Sequence, residues 1–144
     1  MTSTSDWLVW ALLSAVFAAL TSVLAKVGIQ NVDSDFATLI RTFVIVFVLG
    51  AFVLTTAKWT NPLTLPKKTL VFLGLSGLAT CASWVCYFRA LQIGEASKVA
   101  PIDKLSVVLV AIFAVVFLGE RPSMKDWLGI SMIGLGTIIL ALKR

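Results

Sequence analysis

The sequence predicts an all-α membrane protein, a bundle of five transmembrane helices. Three observations predict it: the overall apolarity, five apolar runs of bilayer length, and polar punctuation between successive runs. Of 144 residues, 59% are hydrophobic and 13% charged, and the mean hydropathy is +1.00. An average soluble domain is about 45–50% apolar and about 25% charged. A soluble chain of this length has too little interior to hide so much apolar surface, so the missing solvent is lipid. The length is one domain's worth and no linker or low-complexity stretch divides it, so residues 1–144 read as a single transmembrane domain.

A bilayer core takes roughly 20 apolar residues of helix. The first span is Trp7–Ile29, behind a polar start, Met1 to Asp6, that holds no Lys or Arg. Its apolar run exceeds the roughly 7–15 residues of a signal-peptide core, so it reads as a retained helix. Ala11, Ala15, Ala18, Ala19, Ser22 and Lys26 form a small-residue stripe at helical spacing, which suits close helix packing. The polar run Asn31–Asp35 separates it from the second span, Phe36–Ala57. Asn61, Pro62, Pro66, Lys67 and Lys68 mark the next turn, and Leu70–Leu91 is the third span. The fourth is Ser97–Leu118, where Gly119 suits a helix C-cap. Pro122 and Ser123 open the fifth, about Met124–Leu142, and Ser123 and Asp126 have capping-box spacing. Trp7, Trp10, Trp59 and Trp127 fall near span ends, as an aromatic belt requires.

The net charge of +5 does not point to nucleic acid, because no basic face with interleaved aromatics is present. Membrane proteins carry excess Lys and Arg in loops that stay inside the cell. Cys81 and Cys86 are five apart in an apolar run, a spacing that is neither a metal knuckle nor a redox pair. With no histidine, the commonest general base and metal ligand is missing. No nucleophile–base pair stands out either. No enzyme, no metal and no cofactor are expected.

An odd number of spans puts the termini on opposite sides of the membrane. One side holds Lys58, Lys67, Lys68, Arg121 and Lys125. The other holds Lys98, Lys143 and Arg144 outside the spans, and Lys26, Arg41, Arg89 and Lys104 inside or at the ends of them. Five against three or seven, depending on how embedded charges are scored, chooses no orientation under the positive-inside rule. A chain that inserts both ways up shows such a balance, and so does a five-helix protein with uneven loops.

The embedded charges carry the functional information, since each costs a few kcal/mol on insertion scales and tends to face a water-filled cavity or another charge. Lys26 ends span one, Arg41 is one turn into span two, Arg89 ends span three, and Asp103 and Lys104 lie about two turns into span four. Alternation places all five on one side of the membrane. They read as a cationic, water-accessible vestibule with Asp103 as internal counter-charge. Two readings stay open for Lys26 and Arg89, cavity lining and snorkelling to the headgroups. For Asp103 the alternative is a structural ion pair with Arg41 or Arg89. Asp103 and Lys104 are adjacent, so they are expected on different faces. Pro101 removes a backbone hydrogen bond and predicts a helix kink, a device that transporters place at binding sites. Trp84 and Tyr87, one turn apart, either line a cavity near Arg89 or pack within the bundle.

Several motifs resemble a known family. Tyr87-Phe88-Arg89-Ala90-Leu91, Gly94-Glu95-Ala96-Ser97-Lys98-Val99-Ala100-Pro101, Leu118-Gly119-Glu120-Arg121 and Asp126-Trp127-Leu128-Gly129 look like one EamA domain of the drug/metabolite transporter superfamily. Lys26 and Arg41, flanking the short first loop, fit the same pattern, and the resemblance covers essentially the whole chain. Most members carry two such domains, ten helices in an inverted repeat around a central cavity, so this chain resembles the half-size, five-helix members. The resemblance implies an antiparallel homodimer, alternating access, a small-molecule substrate and a place in the plasma (inner) membrane of a prokaryote. Spans one, three and four would then face the cavity. The four-helix multidrug members of the superfamily use an acid in the first helix, and span one here has none. A net positive vestibule favours an anionic or zwitterionic substrate. Related small members move lipid-linked sugars, so a flippase stands as the alternative, with a non-transporting accessory subunit as a third reading.

Overall fold

The computed structural model describes residues 6–142. The polar start before Asp6, and Lys143 and Arg144 from the charge count, lie outside the described residues. Within them every regular element is helical. Helix α1 is Asp6–Gly28, α2 Ser34–Thr55, α3 Lys67–Ile93, α4 Ala96–Asp103, α5 Leu105–Phe113 and α6 Met124–Ala141. A short 3-10 turn, Pro62–Thr64, sits between α2 and α3, and a π turn, Ala114–Leu118, continues α5. With α4, α5 and the π turn counted as one span, five helical segments are long and apolar enough to cross a bilayer.

Side-chain acceptors set the helix starts. Asp33 caps α2 by accepting the N–H groups of Asp35 at 2.9 Å and Phe36 at 3.0 Å, as a carboxylate at a helix N-terminus should. The helix therefore opens at Ser34, before its first apolar residue. Ser123 and Asp126 form a reciprocal capping box at the start of α6. At the far end of the fourth span, Gly119 adopts φ +70° and its N–H bonds back to Ala114. Helix α2 ends differently. Ala57 takes φ +52°, its N–H bonds Leu54 O, and Lys58 N–H bonds Val53 O. This is a Schellman motif with alanine where glycine is usual.

The fourth span is interrupted. Pro101 cannot donate to the Ser97 carbonyl, and three residues on, Lys104 separates α4 from α5. There Lys104 N–H bonds Pro101 O at 2.9 Å and Val107 N–H bonds Lys104 O at 3.0 Å. Both bonds reach back three residues, the tighter pattern that replaces missing α-helical bonds.

The chain divides into two compact units, one within Met1–Val23 and Ile93–Arg144 and the other Leu24–Gln92. In the first, α6 packs on α4 and α5. Gly134 is what lets α5 and α6 approach, because a Cβ there would stand 3.2 Å from Val108 Cγ2, the role small residues play in lipid. Ala111, Ala114 and Thr137 are buried alongside. In the second unit the buried residues are Ala25, Ile29, Ser34, Thr38, Phe88 and Leu91. All six come from the last turns of α1 and α3, the start of α2 and the chain joining α1 to α2, so this unit is packed at one end.

Elsewhere the apolar side chains point outward. Phe47 is 78% and Phe117 76% exposed, and nearly every Leu, Val and Ile of the spans joins them. A water-soluble fold hides such groups. Their exposure along helices of bilayer length makes this a multi-pass integral membrane protein.

Candidate functional site

The packed end of the Leu24–Gln92 unit holds three of the embedded cations. Arg89, in the last turn but one of α3, reaches across to Asp35 in the first turn of α2. Its Nε donates to Oδ1 at 3.0 Å and its Nη2 to Oδ2. This bidentate fork matches the planar guanidinium to both carboxylate oxygens. Lys26, in the last turn of α1, donates its Nζ to the carbonyl of Leu91. Gln92 Nε2 donates to the carbonyl of Val32 at 2.8 Å. Side chains from α1 and α3 thus take up main-chain and carboxylate acceptors of their neighbours.

Arg41 is bound differently. It lies about two turns into α2, roughly 10 Å from Ser34 at 1.5 Å per residue. Its guanidinium carbon sits 4.3 Å from the centroid of the Phe88 ring and 5.5 Å from that of Trp84. Trp84 and Phe88 are one turn apart on α3, so a single helix face supplies both rings. Such contacts contribute about 0.5–2 kcal/mol each. They accept none of the in-plane N–H protons, however, and Arg41 Nη1 is buried with no hydrogen-bond partner. A buried unsatisfied donor costs about 1–3 kcal/mol, more when charged. No carboxylate among the described residues lies within ion-pair distance of Arg41.

Tyr87 meets Phe88 edge-on, with ring centroids 5.9 Å apart. The structure therefore gathers Lys26, Arg41, Trp84, Tyr87 and Arg89 in one unit, and joins Arg41 to Trp84 directly. Pro101, Asp103 and Lys104 belong to the other unit. There Lys104 Nζ reaches Asp103 Oδ2 at 3.5 Å, which corrects the expectation that the two side chains diverge. Their Cβ atoms differ in direction, but the flexible lysine stem folds back at the helix break. Arg89 takes Asp35, not Asp103, as its partner. The same unit contains a cavity of about 550 Å³ that sequence reasoning missed, bordered by Val107, Ala111 and Ala114 with Glu120, Arg121 and Asp126. It runs alongside α5 from Val107 to the segment that holds Glu120 and Arg121.

Residues 5–142, which contain all five spans, match the EamA-like transporter family. The chain belongs to that family. An uncharacterised transporter from the cobO 3′ region of a Sinorhizobium species is 57% identical over 136 residues, 94% of this chain and 96% of the relative. Human solute carrier family 35 member G1 is 31% identical over 118 residues, which span 76% of this chain but 30% of the human one. The probable 4-amino-4-deoxy-L-arabinose-phosphoundecaprenol flippase subunit of Hamiltonella defensa is 27% identical over 74 residues, 51% of this chain and 67% of the relative. No solved structure matches the chain at a significant level. The family and these names point to transport rather than catalysis.

Two residues of this cluster, Asp35 and Phe88, are not among the candidates the sequence alone singles out. Asp35 belongs to the polar run between the first two spans, on the side of the membrane where Arg89 needs a counter-charge. Phe88 was passed over beside Trp84 and Tyr87. Its spacing of four from Trp84 was the available signal, since residues four apart share a helix face.

Proposed function

We propose that this chain is a secondary transporter of a small polar metabolite, working by alternating access as an antiparallel homodimer in the plasma membrane of a prokaryote. The observation that carries this reading is the match of one EamA-like domain to residues 5–142, taken together with a Lys and Arg distribution that favours neither orientation. A five-span chain paired with an inverted copy supplies ten helices and two copies of each embedded charge. In the human relative the matched part is under a third of the length, which leaves room for a second such unit in one chain. Lys26, Arg41, Arg89, Asp103 and Lys104 are the substrate-binding or coupling groups, Trp84 and Tyr87 flank them, and the Pro101 break supplies the moving element. Bacterial relatives support the inner-membrane placement.

A second reading, a flippase of a lipid-linked headgroup, is favoured by the similarity to the Hamiltonella flippase subunit. The same name favours work as one subunit of a larger assembly.

Orientation is the decisive test. Cys81 and Cys86 are free and exposed, so both are first replaced by alanine, and single cysteines are placed at either end of the chain. Membrane-impermeant labelling of intact cells then reads each end. Labelling of about half the molecules at both ends supports the antiparallel dimer. Complete labelling at one end and none at the other excludes it.

A further inference from the structure

We propose that Arg41 is the oxyanion-binding residue of this protein, holding a phosphate or carboxylate group of the transported molecule, with Trp84 and Phe88 as positioning residues. The proposal deepens the transport reading and rests on it in one respect: the site must open to water during the cycle.

Three embedded cations share the packed end of the Leu24–Gln92 unit, and their surroundings distinguish them. Arg89 is closed on Asp35 through both carboxylate oxygens. Lys26 donates to the Leu91 carbonyl. Arg41 has a buried Nη1 without an acceptor and no carboxylate within ion-pair distance among the described residues. Asp35, the acid one turn and a half earlier on the same helix, is occupied by Arg89. The rings of Trp84 and Phe88 hold the guanidinium carbon and leave its edge to other partners.

The chemistry of that edge selects the ligand. A guanidinium offers five N–H donors in a planar fork and cannot shed its charge. A neutral acceptor would satisfy the donors and leave the charge uncompensated, while a cation would be repelled. Two oxygens of a phosphate or carboxylate satisfy both demands, with the bidentate geometry that arginine provides and lysine does not. The rings limit the freedom of the guanidinium before the ligand arrives, which lowers the ordering cost of binding. A soluble metabolite and a lipid headgroup can both present such an oxyanion.

The test uses the full chain in phosphatidylcholine nanodiscs, titrated with sodium phosphate against sodium chloride at matched ionic strength. The signal is the fluorescence of Trp84, obtained by subtracting that of Trp84→Phe. A parallel set of nanodiscs contains phosphatidic acid and no free phosphate. The expected result is a saturable change that is absent in Arg41→Gln, roughly tenfold weaker in Arg41→Lys, which keeps the charge but loses the fork, and retained in Lys58→Gln, which removes an exposed cation between the second and third spans. A response to free phosphate assigns a soluble ligand, and a response to phosphatidic acid alone assigns a lipid headgroup. No response to either probe, or an equal response in Arg41→Gln, overturns the proposal. Should Arg41→Gln fail to fold, an undiminished affinity in Arg41→Lys overturns it instead. Binding is read at equilibrium with no gradient, so the site can stand where end-labelling excludes the dimer. Conversely, half-and-half labelling with no phosphate response leaves the transporter standing and removes Arg41 from it.

Discussion

Replacing Arg41 by methionine should make the ligand-free protein more stable. The structure supplies terms of both signs. Against the substitution stand two cation–π contacts, at 4.3 and 5.5 Å, together contributing about 1–4 kcal/mol. Methionine recovers part of this, because its sulfur on an aromatic ring contributes about 0.3–1.5 kcal/mol and its stem is nearly as long. In favour stands relief of the unpartnered Nη1, about 1–3 kcal/mol and more for a charged group. Relief of a charge held within an apolar span adds to this, bounded above by about 3 kcal/mol at a helix centre. The balance is a gain of about 1–2 kcal/mol. Unfolding of purified wild type and Arg41→Met in mixed micelles, driven by increasing SDS and followed by circular dichroism, reads it as a midpoint shifted upward. An unchanged or lowered midpoint would show that Arg41 is a packing residue with satisfied donors, and the reasoning about its unpaired edge would fall.

Three further outcomes follow from the geometry. Ala57→Gly should raise stability by about 1 kcal/mol, because glycine adopts φ +52° without the Cβ penalty that alanine bears there; the same unfolding titration checks it, and Ala57→Val should move the midpoint the other way. Gly134→Leu should cost about 1–3 kcal/mol by overpacking, since even a Cβ would meet Val108 Cγ2 at 3.2 Å; a paired Val108→Ala change should recover part of the loss. Asp35→Asn and Arg89→Gln should each speed amide exchange where α2 and α3 meet, and the double variant should add little to either; additive effects would mean that the fork between them carries no coupling.

How much of this was legible in the sequence follows from which interactions are local. The five spans stood out because apolarity over bilayer length is a property of each segment alone. The Ser123–Asp126 capping box and the Gly119 terminus were legible for the same reason, as their bonds close within a few residues. Helix α2 begins two residues ahead of the apolar span, because a capping carboxylate, Asp33, rather than the first apolar residue, decides where the helix begins. Helix α3 starts at Lys67 rather than Leu70, immediately beyond Pro66, so charged residues form its first turn. The fork between Arg89 and Asp35 spans 54 positions and depends on how two helices are rotated about their axes, which no local pattern encodes. The division of the chain into two compact units, the fold-back of Lys104 and the cavity near Glu120 are likewise products of packing.

The ties between Arg89 and Asp35, Lys26 and Leu91, and Gln92 and Val32 all lie at one end of the Leu24–Gln92 unit, where three chain segments converge. Mechanically they make a tripod with a clamped foot. The opposite ends of α2 and α3 are joined by the chain from Thr56 to Pro66. In a unit whose helices otherwise face lipid, this foot is where polar ties and apolar packing coincide.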